Sequence, residues 1–146
     1  MDDSYNLNRF VEAQSVNYDQ ALSEIRAGRK HSHWMWYVFP QVEGLGFSSM
    51  SAKYAIHSLG EAEAYLDHPI LGPRLVDCCE VLLGIQGRSA YDIFGDPDDM
   101  KLKSCATLFA YAAPLESVFH RILKKYFEGQ QDERTLELLD IDPNDR

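Results

Sequence analysis

No stretch of this 146-residue chain stays apolar for long. The longest such run, Trp34 to Pro40, falls far short of the roughly 20 residues a bilayer-spanning helix needs, so a membrane protein is not expected. The opening Met1-Asp2-Asp3-Ser4 is acidic and lacks the basic-then-apolar order of a secretory signal, so none is expected there. Cysteine is sparse. Cys78, Cys79 and Cys105 form no C-x-x-C pair, and neighbours in sequence seldom bridge each other, which points to reduced thiols in a cytoplasmic protein. Positive charge is also short, with 14 Lys and Arg against 23 Asp and Glu, a net charge of −9. That balance favours solubility and repels polyphosphate backbones. General nucleic-acid binding, which rests on basic side chains neutralising phosphates, is therefore not expected. A local basic cluster remains compatible with one small anion.

The chain has no internal repeat, no Pro/Gly-rich linker and almost no period-two alternation of the kind strands show. Its 45% apolar residues, 12% of the chain being aromatic, suffice for a core without disulfides or a structural metal. Residues 1–146 are read as a single domain with short polar termini. The pattern predicts an all-α fold, an irregular bundle of about six to eight short helices.

The first helix is expected over Asn8 to Ala27, in one or two pieces, with Tyr18, Leu22 and Ile25 on one stripe and Gly28 as its stop. Ser32 is a candidate cap for a helix from His33 to Phe39, closed by Pro40. Gly44, Gly46 and the serines at 48, 49 and 51 read as loop, while Lys53 to His57 fits an extended segment or a helical turn equally. Helical composition returns at Glu61 to Leu66, is interrupted at Asp67-His68-Pro69, and resumes over Leu71 to Leu83. Ser89 and Asp92 form a capping-box pattern. Asp96 is a candidate cap with Pro97 in the first helical position of a helix reaching about Ala112. Two more helices follow, one opening at Pro114 and closing at Gly129, the other from about Asp132 to Leu139.

The densest chemistry lies in Gly28-Arg-Lys-His-Ser-His-Trp-Met-Trp-Tyr-Val-Phe-Pro-Gln41. Two tryptophans so close together are costly to leave in water, which assigns most of the run to the core. Its front edge is different. Arg29, Lys30 and His31 precede a helix start, where free N–H groups and positive charge favour a phosphate or carboxylate. A solvated basic turn after a helix C-terminus explains the same residues. His31-x-His33 is too little for zinc, which needs three or four placed ligands; no metal and no cofactor is predicted. The acidic Asp92 to Asp99 segment lacks the glycine and closing glutamate of a calcium loop, and the cysteines lie on apolar helix faces.

The segment His33-Trp-Met-Trp-Tyr-Val-Phe-Pro-Gln41, with Gly44-Leu-Gly46 and Ser48, closely resembles a bacterial family catalogued as domain of unknown function 1810. The resemblance continues through Tyr54-Ala-Ile56, Glu61-Ala62, Ala64-Tyr-Leu66, His68-Pro69, Leu71-Gly72, Arg74-Leu75, Phe94-Gly95, Asp98, Lys101-Leu-Lys103 and Thr107-Leu-Phe109. It implies a mainly helical fold and no established activity. Some members carry the name calpastatin, but nothing in this chain resembles that disordered, repeat-built inhibitor.

Two functions follow as expectations. One is a small-molecule site for a phosphate-bearing or nucleotide-like anion at the basic turn, built from Arg29, Lys30, His31 and His33 with Trp36 or Trp34 as a stacking wall. Tyr54, Glu61, His68, Arg74 and Lys101 join it if folding brings them there, and His33 is the candidate proton-transfer residue. The alternative is a non-enzymatic protein-interaction module.

Overall fold

The computed structural model describes residues 3–114 and 116–141. Among them are nine helices and an isolated parallel bridge between Val42 and Ile56. The first helix, α1, spans Asn8–Arg26 as one element with a kink at Asn17. There the Asn17 amide donates to the Tyr37 hydroxyl at 2.7 Å, a side-chain bond that takes the place of helical backbone geometry. The Asp3 carboxylate accepts from Leu7 N–H (2.6 Å) and Asn8 N–H (3.1 Å), satisfying donors at the helix start. At the other end Gly28 has φ +75°. Gly28 N–H bonds the Ile25 carbonyl and Arg29 N–H bonds the Glu24 carbonyl, the paired closure that a left-handed residue permits.

Several expected boundaries are corrected. α2 is a single turn, Met35–Val38, rather than His33 to Phe39, because the Ser32 hydroxyl donates to Glu24 at 2.7 Å instead of capping. The serine segment is not all loop: α3 spans Ser49–Lys53, with the Ser48 hydroxyl accepting from Ser51 N–H at 3.1 Å. α7 begins at Asp98, with Pro97 at the cap position and the Gly95 carbonyl, not the Asp96 carboxylate, accepting Asp99 N–H. The undecided stretch before His57 is extended at Ile56, whose N–H bonds the Gln41 carbonyl while its own carbonyl accepts Glu43 N–H, both at 2.9 Å.

α4 (Leu59–Asp67) and α5 (Leu71–Gly84) meet at a tight corner. The His68 ring nitrogen Nδ1 accepts from Ile70 N–H and Leu71 N–H there. Gly72 packs so closely on the Leu66 carbonyl that a β-carbon would lie 2.0 Å from its oxygen. α6 (Ala90–Phe94) has the expected Ser89–Asp92 capping box. α8 runs Val118–Phe127, later than the expected opening at Pro114, behind a reciprocal Ser117–His120 cap; Leu115, within the expected helix, lies outside the described residues. α9 spans Glu133–Leu139 and is capped by Asp132.

α7 (Asp98–Ala112) is the central post, packed against α4, α6, α8 and α9. Its run Ser104 to Ala110 is buried on every side, as befits a helix surrounded by others. Aromatic contacts tie the layers together: Phe109 lies 5.3 Å from Tyr65 and 5.5 Å from Phe119, ring centre to ring centre. Trp34, Met35, Tyr37, Val38 and Phe39 are buried, as expected of that run, while Trp36 alone is half-buried. No helix of the described residues is long and apolar enough to cross a membrane.

Candidate functional site

The basic turn does hold a carboxylate, and it belongs to the chain. Glu24, on the last turns of α1, accepts from His31 N–H (2.7 Å), Ser32 N–H (2.9 Å), the Ser32 hydroxyl (2.7 Å) and Trp34 Nε1–H (3.0 Å). Burial opposes its charge, but these four donors outweigh burial and hold its pKa down at about 2. Arg29 and the His31 and His33 side chains lie exposed around this turn. Lys30 turns inward. Its side chain is 8% exposed, its ammonium lies 2.7 Å from Asp98, and it sits over the Trp34 ring at 5.2 Å.

Asp98 links the turn to a second place. Its other oxygen lies 3.2 Å from the Lys101 ammonium, and Lys101 in turn lies 4.9 Å from the centre of the Trp36 ring. Trp36 is the shared wall of two adjoining concavities. The smaller, about 310 Å³, is bounded by Gln41, Glu43, Leu45, Phe47 and Tyr54. The larger, about 510 Å³, is bounded by Phe47, Ser48, Pro97, Met100, Lys101 and Ser104. Together they form a groove between the 41–55 segment and the first turns of α7. The Ser48 hydroxyl bonds Ser51, and that of Ser104 bonds Asp132 and the Met100 carbonyl. The Lys101 ammonium, with an exposed edge, is the groove's cationic group.

Of the ten residues singled out in the sequence, Trp36, Tyr54 and Lys101 border this groove, with Lys30 connected through Asp98. The others lie elsewhere. Glu61 is buried and pairs with Arg9 at 2.8 Å and with the His57 ring at 3.1 Å. His68 caps α5 beside a different concavity, with Asp3, Tyr5 and Asp67. Arg74 lies 4.7 Å over Tyr18 and donates to Gln14 at 3.4 Å. His33 contributes its carbonyl to the Tyr37 hydroxyl. All three cysteines are buried, and burial raises their thiols, Cys78 to about 12. Among the described residues no group of three or more His, Cys, Asp or Glu is arranged to hold a metal.

Glu24, Asp98, Glu43 and Phe47 escaped the sequence reading as site residues. Phe47 alone carried a usable signal, since a bulky aromatic between Gly46 and a serine run has no helical stripe to join.

Fold and groove define an all-helical protein with an aromatic-walled surface recess. The chain belongs to the protein family of unknown function DUF1810, whose model matches residues 4–139. It is similar to the conserved hypothetical protein Rv1873 from Mycobacterium tuberculosis, whose crystal structure shares 50% identity and superimposes with a TM-score of 0.93. That alignment covers 96% of this chain and 100% of the other. No protein of curated function matches the chain.

Proposed function

We propose that this protein binds a small anionic ligand, phosphate-bearing or nucleotide-like, in the Trp36 groove. One observation carries the reading: the Lys101 ammonium lies 4.9 Å from the centre of the half-buried indole that walls both concavities. A cation and a flat apolar surface thus converge in one recess, the general mark of a ligand site. One carboxylate, Asp98, stands between two ammonium groups, Lys30 and Lys101, so the three side chains sum to a positive charge in a chain whose total is −9. The concavities also fall within the range of roughly 300–1,000 Å³ usual for small-molecule sites. The basic turn supports the reading less well, because a ligand there has to displace the buried Glu24 carboxylate from four donors.

The test is a thermal-shift series with inorganic phosphate, ribose 5-phosphate and nucleoside monophosphates on the wild type, Lys101→Ala and Arg29→Ala. Saturation near 100-fold over Kd stabilises a folded protein by about 2.7 kcal/mol, a readily measured shift. The expected result is a shift that Lys101→Ala abolishes and Arg29→Ala retains. No shift with any of these anions, or the opposite dependence on the two variants, overturns the proposal. A second reading, a protein-interaction module, draws on the exposure of Phe47 and Met100 at the groove's edge. A co-purifying protein that shields Phe47 from proteolysis would favour it.

A further inference from the structure

We propose that the groove selects a planar ring that bears N–H donors at one edge and carries one anionic group, clamped between Trp36 and Phe47. This inference rests on the anion reading above. Phe47 is the most exposed large apolar side chain among the described residues, and it borders both concavities. Its neighbours in the aromatic set behave otherwise: Trp34, Tyr37 and Phe39 each meet another ring, whereas neither Trp36 nor Phe47 has a ring partner among the described residues. Two aromatic surfaces without a ring partner, Trp36 with the Lys101 ammonium near its ring and Phe47 fully exposed, therefore border one recess. A flat ring between them completes both stacks, and aromatic stacking tolerates any π-face.

The mainly apolar groove also carries charges of opposite sign on its two concavities. Lys101 bounds the larger concavity, and Glu43 bounds the smaller, with Gln41 common to both. The Glu43 carboxylate accepts hydrogen bonds only, so its end favours a ring edge with N–H donors. The Lys101 end favours the anion. A guanine-type nucleoside monophosphate has this order of groups: donor edge, flat ring, phosphate.

Closure on such a ring costs little structure. α3 contributes no buried residue and packs extensively against no other helix. The segment that carries Phe47 is held by the Val42–Ile56 bridge, the Ser48 cap and the partly buried Leu45 and Met50, while Phe47 itself stays fully exposed. Between bridge and cap Gly44 has φ +102°, a conformation open chiefly to glycine. Segments with few buried contacts occupy the low-stability end of a structure, from which closing elements are drawn.

Calorimetric titration with guanosine 5′-monophosphate, guanosine and ribose 5-phosphate tests the clamp, using wild type, Phe47→Ala and Glu43→Gln. Phe47 is fully exposed, so its loss leaves the fold intact. The nucleotide is expected to bind more tightly than either fragment. Phe47→Ala should weaken it about tenfold while leaving ribose 5-phosphate unchanged, and Glu43→Gln should weaken the nucleotide more than the sugar phosphate. Equal binding of nucleotide and ribose 5-phosphate, insensitive to both variants, overturns the clamp and leaves the anion reading standing. Absence of binding by all three probes overturns both.

Discussion

Trp34 donates its indole N–H to the Glu24 carboxylate at 3.0 Å, in the interior beneath the basic turn. The aromatic run and the end of α1 are thereby joined through one buried charge. With its pKa held at about 2 against an ordinary 4.5, Glu24 contributes stability that is complete above pH 4.5 and is lost as the pH falls toward 2. The whole contribution is on the order of 3 kcal/mol. Urea titrations of the wild type at pH 7 and pH 3, set beside Glu24→Gln, check this. The variant should be much less stable at pH 7, and the gap should narrow at low pH. A pH-independent gap would show that the charge contributes nothing.

Glu24→Ala carries a further expectation. It leaves the N–H groups of His31, Ser32 and Trp34 facing a space shaped for a carboxylate. Added formate should restore part of the lost melting temperature, and chloride at equal ionic strength should not.

The Arg9–Glu61 pair predicts strong coupling. Arg9 donates to the carbonyls of Tyr5, Asn6, Lys53 and Ala55 as well as to Glu61, so all its N–H groups are used. Arg9→Met should cost about 3–5 kcal/mol, as for other buried pairs broken on one side. Arg9→Lys should recover little, since an ammonium cannot match the fork. A double-mutant cycle with Glu61→Gln should return an interaction energy above ~1 kcal/mol; additivity would refute the coupling.

Two glycines of α5 should respond in opposite directions. Gly72→Ala drives a methyl group into the Leu66 carbonyl, and the chain should fail to fold or lose several degrees of melting temperature. Gly84 has nothing within 4 Å of the added carbon, so Gly84→Ala should stabilise by about 0.5 kcal/mol through helix propensity and reduced unfolded-state freedom.

The thiols should be silent. Buried and held protonated, Cys78, Cys79 and Cys105 should react with a thiol reagent at pH 8 only after denaturation. Rapid labelling of the native protein would contradict their placement.

The helical architecture was legible because it depends on local signals. Ser89 with Asp92, Asp132 before α9 and Gly28 after α1 act within a few residues of themselves, and the chain obeys them. Ser32 failed as a cap for a nonlocal reason, since a carboxylate eight positions earlier captured its hydroxyl. The groove was only half legible for the same reason. Trp36 and Lys101 are conspicuous singly, but their meeting depends on α7 passing beside the 41–55 segment, a packing event without local signature. Glu24 looked like any solvated helix carboxylate; only the fold turns the following backbone onto it.

Arg9 has one more consequence. Its guanidinium gathers carbonyls from both Tyr5-Asn6 and Lys53-Ala55, so the beginning of the described chain and the base of the Phe47 segment share one mechanical node. A partner acting ahead of α1 therefore bears on the wall of the recess through the Arg9 guanidinium, alongside the Phe10–Tyr54 ring contact.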